Sequence, residues 1–241
     1  MPDAHYLNPR LVEIYDLDSP WSADREFYLS LATEPPQDIL DLGCGTGLLC
    51  DAYAAKGHNV TGADPSLPML DVARRKPNGA KISWVHSDAQ NFSSKQQFDL
   101  IVMTGHAFQV LLEDPDVLSV FATVRDHLKP SGKFVFESRN PLLDWKSRWD
   151  YDLELNVEGT KVLESRRFIS IERDRMHFEL LYRFPDEQLV SNSELRFWSK
   201  SDIENHLSAS QLVAPVVLGD WEGKPFSEQD EEMIFVIRRK E

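Results

Sequence analysis

Two cysteines, Cys44 and Cys50, are all that the 241 residues contain. A disulfide framework and a cysteine-based zinc site both need more than that, so both are excluded and no metal site is expected. Basic residues are scarce as well: 26 Lys and Arg stand against 40 Asp and Glu, for a net charge of −14. Proteins that hold nucleic acid neutralise its phosphates with clustered cations. Here Arg166-Arg167, Arg173 with Arg175, and Arg238-Arg239-Lys240 are small groups flanked by acids, and no nucleic-acid partner is expected. Apolar runs are short, the longest being Met233–Ile237, whereas a membrane helix needs ~20 such residues, so no membrane partner is expected either. The opening stretch MPDAHYLNPR lacks a basic segment leading into an apolar run. No secretory signal is therefore expected, and the expected address is cytoplasmic. The 41% hydrophobic and 27% charged residues that make up the chain suit a globular protein with a full core.

From residue 38 to about 138 the chain alternates short apolar runs with helical patterns. Strands are expected at Asp38–Leu42, Asn59–Ala63, Ile82–His86, Phe98–Met103 and Lys133–Glu137. Helices are expected at Leu48–Lys56, at Pro65–Arg75 and at Asp116–Leu128, the last stopped by Lys129-Pro130-Ser131-Gly132. Alternating βα units with fully apolar strands predict a parallel sheet covered on both faces. Before them lie two helical stretches, Pro9–Leu17 and Ala23–Ala32, the second ended by Pro35-Pro36. After them the period changes to two: between Lys161 and Trp198, Met176, Phe178, Leu180, Tyr182 and Phe184 alternate with polar neighbours, and Leu195 and Phe197 share a face. This predicts an antiparallel meander inserted at the end of the fifth strand, where ligands bind in open α/β sheets. Ser201-Asp202-Ile203-Glu204 reads as a capping box opening a helix to Ala209, and strands are expected at Leu212–Leu218 and Glu232–Arg238. The expected organisation is a helical cap (1–37), a ligand-binding core (38–138), an antiparallel β lid (139–199), and a completion of the core (200–241).

The strongest motif is ILDLGCGTG, Ile39 to Gly47. Glycines directly after a strand let the backbone turn tightly and approach a ligand. A dinucleotide fingerprint requires G-x-G-x-x-G; here the third glycine comes one residue early and Leu48 holds its place. A phosphate loop is excluded because no Gly-Lys-Ser/Thr follows. Asp41, two residues before the first glycine, can accept from an ammonium or bond the loop's N–H groups. Asp64, at the end of the second strand, can accept both hydroxyls of a ribose or cap the helix after it. Asp88, in Ser87-Asp88-Ala89-Gln90, can accept from an exocyclic amine or simply form a surface turn.

ILDLGCGTG, then GADPS, SDAQ and FDLIVMTGHAFQVL, resemble the successive motifs of the class I S-adenosylmethionine-dependent methyltransferases over roughly residues 36–138. Ile14-Tyr15-Asp16-Leu17 and the tail Gly219–Phe226 before EEMIFVIRR are similar to small-molecule members of that family. The resemblance implies a Rossmann-like, seven-stranded, mostly parallel sheet with helices on both faces, an antiparallel last strand, and the β insertion as a lid. It implies S-adenosylmethionine as cofactor and a small-molecule methyl acceptor as partner. Asp41, Gly43, Cys44, Gly45, Thr46 and Gly47 would line the methionine moiety, and Asp64 would take the ribose. Pro65, Ser66, Met69, Asp88 and Ala89 would lie near the adenine. Thr104, Gly105 and His106 would lie beside the transferring methyl, with Tyr15 bordering the cofactor.

The fourth-strand motif Thr-Gly-His-Ala lacks the Asn/Asp-Pro-Pro-Tyr/Phe pattern of members that methylate exocyclic amines of bases or glutamine side chains, and neither cysteine has the setting of a pyrimidine nucleophile. The expected activity is methyl transfer to an N or O atom of a small molecule, by in-line displacement. A cofactor-binding scaffold or sensor, and an RNA or protein methyltransferase, are the alternatives. An O-acceptor needs a general base, and His106 is the candidate. Trp21, Gln109, Arg139 and Arg183 are the expected acceptor contacts, Arg139 as a clamp on an acidic group. Trp149, Tyr151 and Trp198 are the aromatic side chains expected to face the acceptor from the lid. The even-numbered apolar face of the lid would serve the acceptor or a contact between copies, so the chain is expected to be a monomer or a homodimer.

Overall fold

Apolar residues on both sides of each central strand settle the architecture. Along β1 (Asp38–Leu42), Ile39 joins one buried cluster and Leu40 and Leu42 join the opposite one. The computed structural model describes residues 3–34 and 36–240. Its elements run α1 (Ala4–Leu7), α2 (Pro9–Asp18), α3 (Ala23–Leu31), β1, α4 (Leu48–Ala55), β2 (Asn59–Asp64), α5 (Leu67–Arg74), β3 (Ser83–His86), β4 (Phe98–Met103), α6 (Asp114–His127) and β5 (Leu128–Arg139). They continue with β6 (Tyr151–Val157), β7 (Thr160–Glu172), β8 (Arg175–Arg183), β9 (Gln188–Arg196), α7 (Lys200–Ala209), β10 (Leu212–Leu218) and β11 (Glu232–Arg239).

Seven strands form one sheet in the order β10-β11-β5-β4-β1-β2-β3. β1 to β5 pair in parallel, and the last strand, β11, runs antiparallel to both β5 and β10. Helices α6 and α7 cover one face through Val117, Phe121, Val124, Ile203 and Leu207. Helices α3 and α4 cover the other through Tyr28, Leu49, Cys50 and Tyr53. The order reverses at β1 and β4, and the βα turns at this switch point open on the carboxyl edge of the sheet, where such folds bind ligands. Among the described residues no helix is long and apolar enough to cross a membrane.

A separate four-stranded antiparallel sheet, β6-β7-β8-β9, forms the lid. Its even-numbered face carries Met176, Phe178, Leu180 and Tyr182 and is covered by Leu11 and Ile14 of α2 and by Trp149. That face is closed by this chain itself, which corrects its expected use as a contact between copies.

Several boundaries differ from the sequence pattern. The meander starts earlier than Lys161, because Tyr151–Val157 adds an edge strand whose Tyr151, Leu153, Leu155 and Val157 also alternate with polar residues. Lys129-Pro130-Ser131-Gly132 is no stop but a bulge inside β5, between the Leu128–Phe98 and Lys133–Leu100 pairs. The box at Ser201 lies two residues too far: Ser199 caps α7, its hydroxyl accepting from the Asp202 N–H at 3.1 Å. Helix α5 begins at Leu67 with Ser66 as its cap, so Asp64 is released from capping. Helix α3 ends at Leu31, and Pro35, expected to end it, lies outside the described residues.

Candidate active site

The glycine turn after β1 is tied to the end of β2. The N–H groups of Gly43 and Cys44 donate to the Ala63 carbonyl at 2.8 and 3.1 Å. Gly45 N–H donates to Asp64 Oδ2 and Ser66 N–H to Asp64 Oδ1, each at 2.8 Å. Each Asp64 oxygen thus keeps a second lone pair for a ligand. Burial raises the Asp64 carboxyl, partly offset by these two N–H bonds. Thr46 donates its hydroxyl to Asp16 of α2, which also pairs with Lys76, so the cap is fastened to the turn. Ser66 donates its hydroxyl to the Tyr6 carbonyl, and Met69 is buried one turn further along α5.

Gly47 has φ +73°, and a Cβ there would meet Trp84 Cη2 at 2.5 Å and Ala73 Cβ at 2.9 Å. Left-handed backbone and overpacking each cost a side chain energy, so Gly47→Ala is expected to destabilise the protein by about 2–4 kcal/mol. Urea unfolding measures this, and an unchanged midpoint would mean that Trp84 does not hold that place.

Asp41 points to the α4 side of the sheet and is 1% exposed. Oδ2 accepts from the Cys50 thiol at 3.4 Å, while Oδ1 has no partner among the described residues. Burial pushes this carboxyl up to about 7; the Cys50 contact opposes the rise and Asp64 adds to it. Burial also raises both thiols, which makes them poor nucleophiles.

Past β4, Gly105 and His106 both take left-handed backbone, with φ +68° and +59°. For a non-glycine residue this conformation is uncommon and concentrates at functional sites. His106 N–H donates to Glu137 Oε1 at 2.7 Å, and Tyr28 donates its hydroxyl to Oε2 of the same carboxylate. His106 Nε2 lies 3.0 Å from both oxygens of Glu232. A carboxylate only accepts, so Nε2 carries the proton and Nδ1 is left as the basic nitrogen. Burial raises Glu137 despite the His106 and Tyr28 contacts. Burial would raise Glu232 too, but the bond from His106, with Arg139, holds it below its ordinary value.

Arg139 ends β5 and lies 5.1 Å from the Trp149 ring and 5.6 Å from that of Trp145. Burial lowers its guanidinium to about 10, opposed by Glu232, so it stays charged at neutral pH. Its one side-chain hydrogen bond among the described residues goes to Gln109 Oε1, at 3.0 Å. Gln109 is fully buried and donates to the Arg196 carbonyl, so both ends of its amide are engaged within the chain. Tyr15 lies near Asp18 and Asp64, and burial, then Asp18, push its phenol up to about 12.

Two further expected contacts fall elsewhere. Arg183 lies on the outer face of the lid, donating to Ser165 at 2.9 Å, because strand alternation sends odd-numbered residues of β8 away from the buried face. Trp198 is packed in the sheet core with its indole N–H on the Leu111 carbonyl. Trp21 is partly exposed and donates to Glu26 of α3. Asp88 accepts from the backbone and side chain of Asn91, and Ala89 packs on the core. Tyr28, Glu137 and Glu232 were not singled out by the sequence. Glu137 alone carried a signal, an acid closing the apolar run Phe134–Phe136.

Residues 39–132 match the family model described as "Methyltransferase domain". The chain is 25% identical over 250 residues to a cypemycin N-terminal methyltransferase of a Streptomyces species, covering 100% of both chains. It is 34% identical over 113 residues to a ubiquinone biosynthesis O-methyltransferase of Actinobacillus pleuropneumoniae serotype 7 (strain AP76), covering 44% of this chain and 47% of that one. Among solved structures, an S-adenosylmethionine-dependent methyltransferase of Clostridium acetobutylicum ATCC 824 matches with a TM-score of 0.80 at 21% identity, covering 96% and 98% of the two chains.

Proposed function

We propose, for a chain that carries a class I S-adenosylmethionine-dependent methyltransferase domain over residues 39–132, that it methylates an N or O atom of a small molecule by in-line displacement. The observation that supports the reading most directly is Asp41, a buried carboxylate with one oxygen unbonded among the described residues, placed two residues before the glycine turn. Buried polar atoms without partners are rare, and this one suits the ammonium of the cofactor's methionine moiety. Asp64, with a free lone pair on each oxygen, suits the ribose. S-adenosylmethionine, when bound, supplies a methyl already activated on a positive sulfur.

The chain then has to hold the acceptor atom in line behind that methyl, and orientation of this kind contributes many orders of magnitude. Arg139 would draw in an acidic group of the acceptor and Tyr15 would border the cofactor. His106, with Nε2–H held by Glu232, would take the proton of a hydroxyl acceptor on Nδ1; an amine needs only to arrive uncharged. Relatives that act on N and on O both match the chain, and the proposal covers both.

Calorimetric titration with S-adenosylmethionine and S-adenosylhomocysteine, with NAD as control, tests the reading. One saturable site for the first two and none for NAD is expected. Asp64→Ala is expected to weaken that binding by about 1–3 kcal/mol, the cost of a charged hydrogen-bond partner. Absence of binding to the unsubstituted protein would end the proposal.

A further inference from the structure

Carboxylates stand in a row at the carboxyl edge of the main sheet, on the face that α3 and α4 cover. Ile39, Val135 and Ile234 belong to that face. Strand alternation puts Asp41, Glu137 and Glu232, each two residues nearer the edge, on the same side. Their partners differ. Asp41 keeps one oxygen without a partner among the described residues, and Glu232 turns both oxygens to the His106 imidazole. Glu137 accepts from the His106 main chain on one oxygen and from the Tyr28 hydroxyl on the other. Both of its oxygens are engaged within the chain, and its bond to His106 goes to the backbone, not to the ring.

Glu137 is 1% exposed. A buried carboxylate on a strand face is costly, and a leucine there would avoid the cost. What the carboxylate does instead shows at His106. That residue and Gly105 are both left-handed, a conformation that strains any residue with a Cβ. Within the turn, Ala107 N–H donates to the Thr104 carbonyl at 3.3 Å and Gln109 N–H to the His106 carbonyl at 2.9 Å. The His106 N–H bond to Glu137 is shorter than either, at 2.7 Å, and bonds to a carboxylate are stronger than those between neutral groups. Behind Glu137 the support is firm. Tyr28 of α3 is fully buried, its carbonyl accepts from the Tyr53 hydroxyl at 2.6 Å, and its ring lies 6.0 Å from that of Trp221.

We infer that Glu137 is a positioning residue of the transfer site: it holds the main chain of His106 in the left-handed form, and that form carries the imidazole to Glu232. Tyr28 acts through Glu137 and ties α3 to the same turn. The inference rests on the reading of His106 as the base and adds the residue that aims it. Glu137 fixes where the ring stands, and Glu232 fixes which ring nitrogen carries the proton.

The test is NMR of the isotopically labelled full chain at about pH 8, where an ordinary histidine is neutral. Two-bond correlation spectra report which nitrogen of the His106 ring is protonated, its signals being those lost in His106→Ala. In the unsubstituted protein the Nε2–H tautomer is expected to outnumber the other by about thirtyfold, the ratio that a charged hydrogen bond supports. The His106 main-chain N–H is expected to exchange at least about tenfold more slowly than that of the exposed Gly105. Glu137→Leu is expected to lower the tautomer ratio about fivefold or more and to release the N–H, with S-adenosylhomocysteine affinity kept within about twofold. Glu137→Gln is expected to keep both, because its amide oxygen accepts from the His106 N–H and its NH₂ donates to the Tyr28 oxygen. A fast-exchanging His106 N–H in the unsubstituted protein, an unchanged ratio in Glu137→Leu, or a ratio lowered about fivefold in Glu137→Gln overturns the inference. The exchange measurement and the glutamine variant decide even where the leucine variant does not fold. Neither tautomer nor exchange depends on the cofactor, so their failure is distinct from absent S-adenosylhomocysteine binding, which would break the methyltransferase reading.

Discussion

Asp41→Asn is expected to make the ligand-free protein more stable than its parent at pH 8 and, in the same protein, to weaken the cofactor. The Asp41 carboxyl, ordinarily at 3.8, is raised to about 7 by burial. A raised acid contributes fully below its unfolded value, and the contribution is lost as pH rises through the folded value. Well below 3.8 the group is neutral in both states, and near pH 4 the unfolded chain is only partly ionised. At pH 8 folding must hold a buried charge, and a shift to about 7 sets that cost at no more than about 4 kcal/mol. Asparagine does not ionise, so the variant gains about 2–4 kcal/mol at pH 8 and almost nothing at pH 4. Urea unfolding at the two pH values measures the gain, and an equal gain at both would place the cost in packing rather than charge.

Cofactor binding runs the other way. An ammonium on Asp41 Oδ1 requires the ionised form, so S-adenosylhomocysteine affinity should fall as pH drops through about 7 in the parent. In Asp41→Asn it should be lower by about 1–3 kcal/mol and flat in this range. A parent whose affinity does not change between pH 6 and pH 8 would remove Asp41 from the ammonium role.

With a hydroxyl acceptor, His106→Ala is expected to lower turnover about 10²–10⁴-fold, the usual worth of a positioned base. S-adenosylhomocysteine binding should stay within about twofold, because the cofactor's expected partners, Asp41 and Asp64, are untouched. Glu232→Leu should cost about tenfold, since it removes the group that fixes the imidazole tautomer. The double variant should be no worse than His106→Ala alone, because Glu232 is proposed to act through His106. Losses that multiply would assign Glu232 a separate role, through Arg139. An unchanged rate in His106→Ala would leave alignment of the acceptor as the whole contribution of this edge of the sheet.

The proposed cofactor side of the site was legible in the sequence because it is local. Asp41, the turn from Gly43 to Gly47, and Asp64 stand where two short apolar runs end, and a turn of that shape tolerates few residues other than glycine. The parallel sheet was legible for the same reason, since strands buried on both faces have to be apolar throughout. The alternation of Met176 to Tyr182 likewise announced a second sheet. Asp64 could be read in sequence as a ribose partner or a helix cap, and Ser66 holds the cap.

The proposed acceptor side depended on distance along the chain. Glu232 meets His106 across 126 positions and Tyr28 meets Glu137 across 109, and no local pattern records such pairs. The faces of the lid were likewise undecided by alternation, which says that Arg183 and Tyr182 point in opposite directions but not which of them meets the core. Helix α2 decided that by burying Tyr182's face, and the same packing left Glu164 without a partner for one oxygen among the described residues. Sequence by itself therefore determined the fold and the glycine turn, where backbone geometry and burial restrict contiguous residues. Tertiary structure alone decided the group around His106 and the group in which Tyr151 meets Glu164 and Asp18, because these exist only once separate elements bring their charges together away from water.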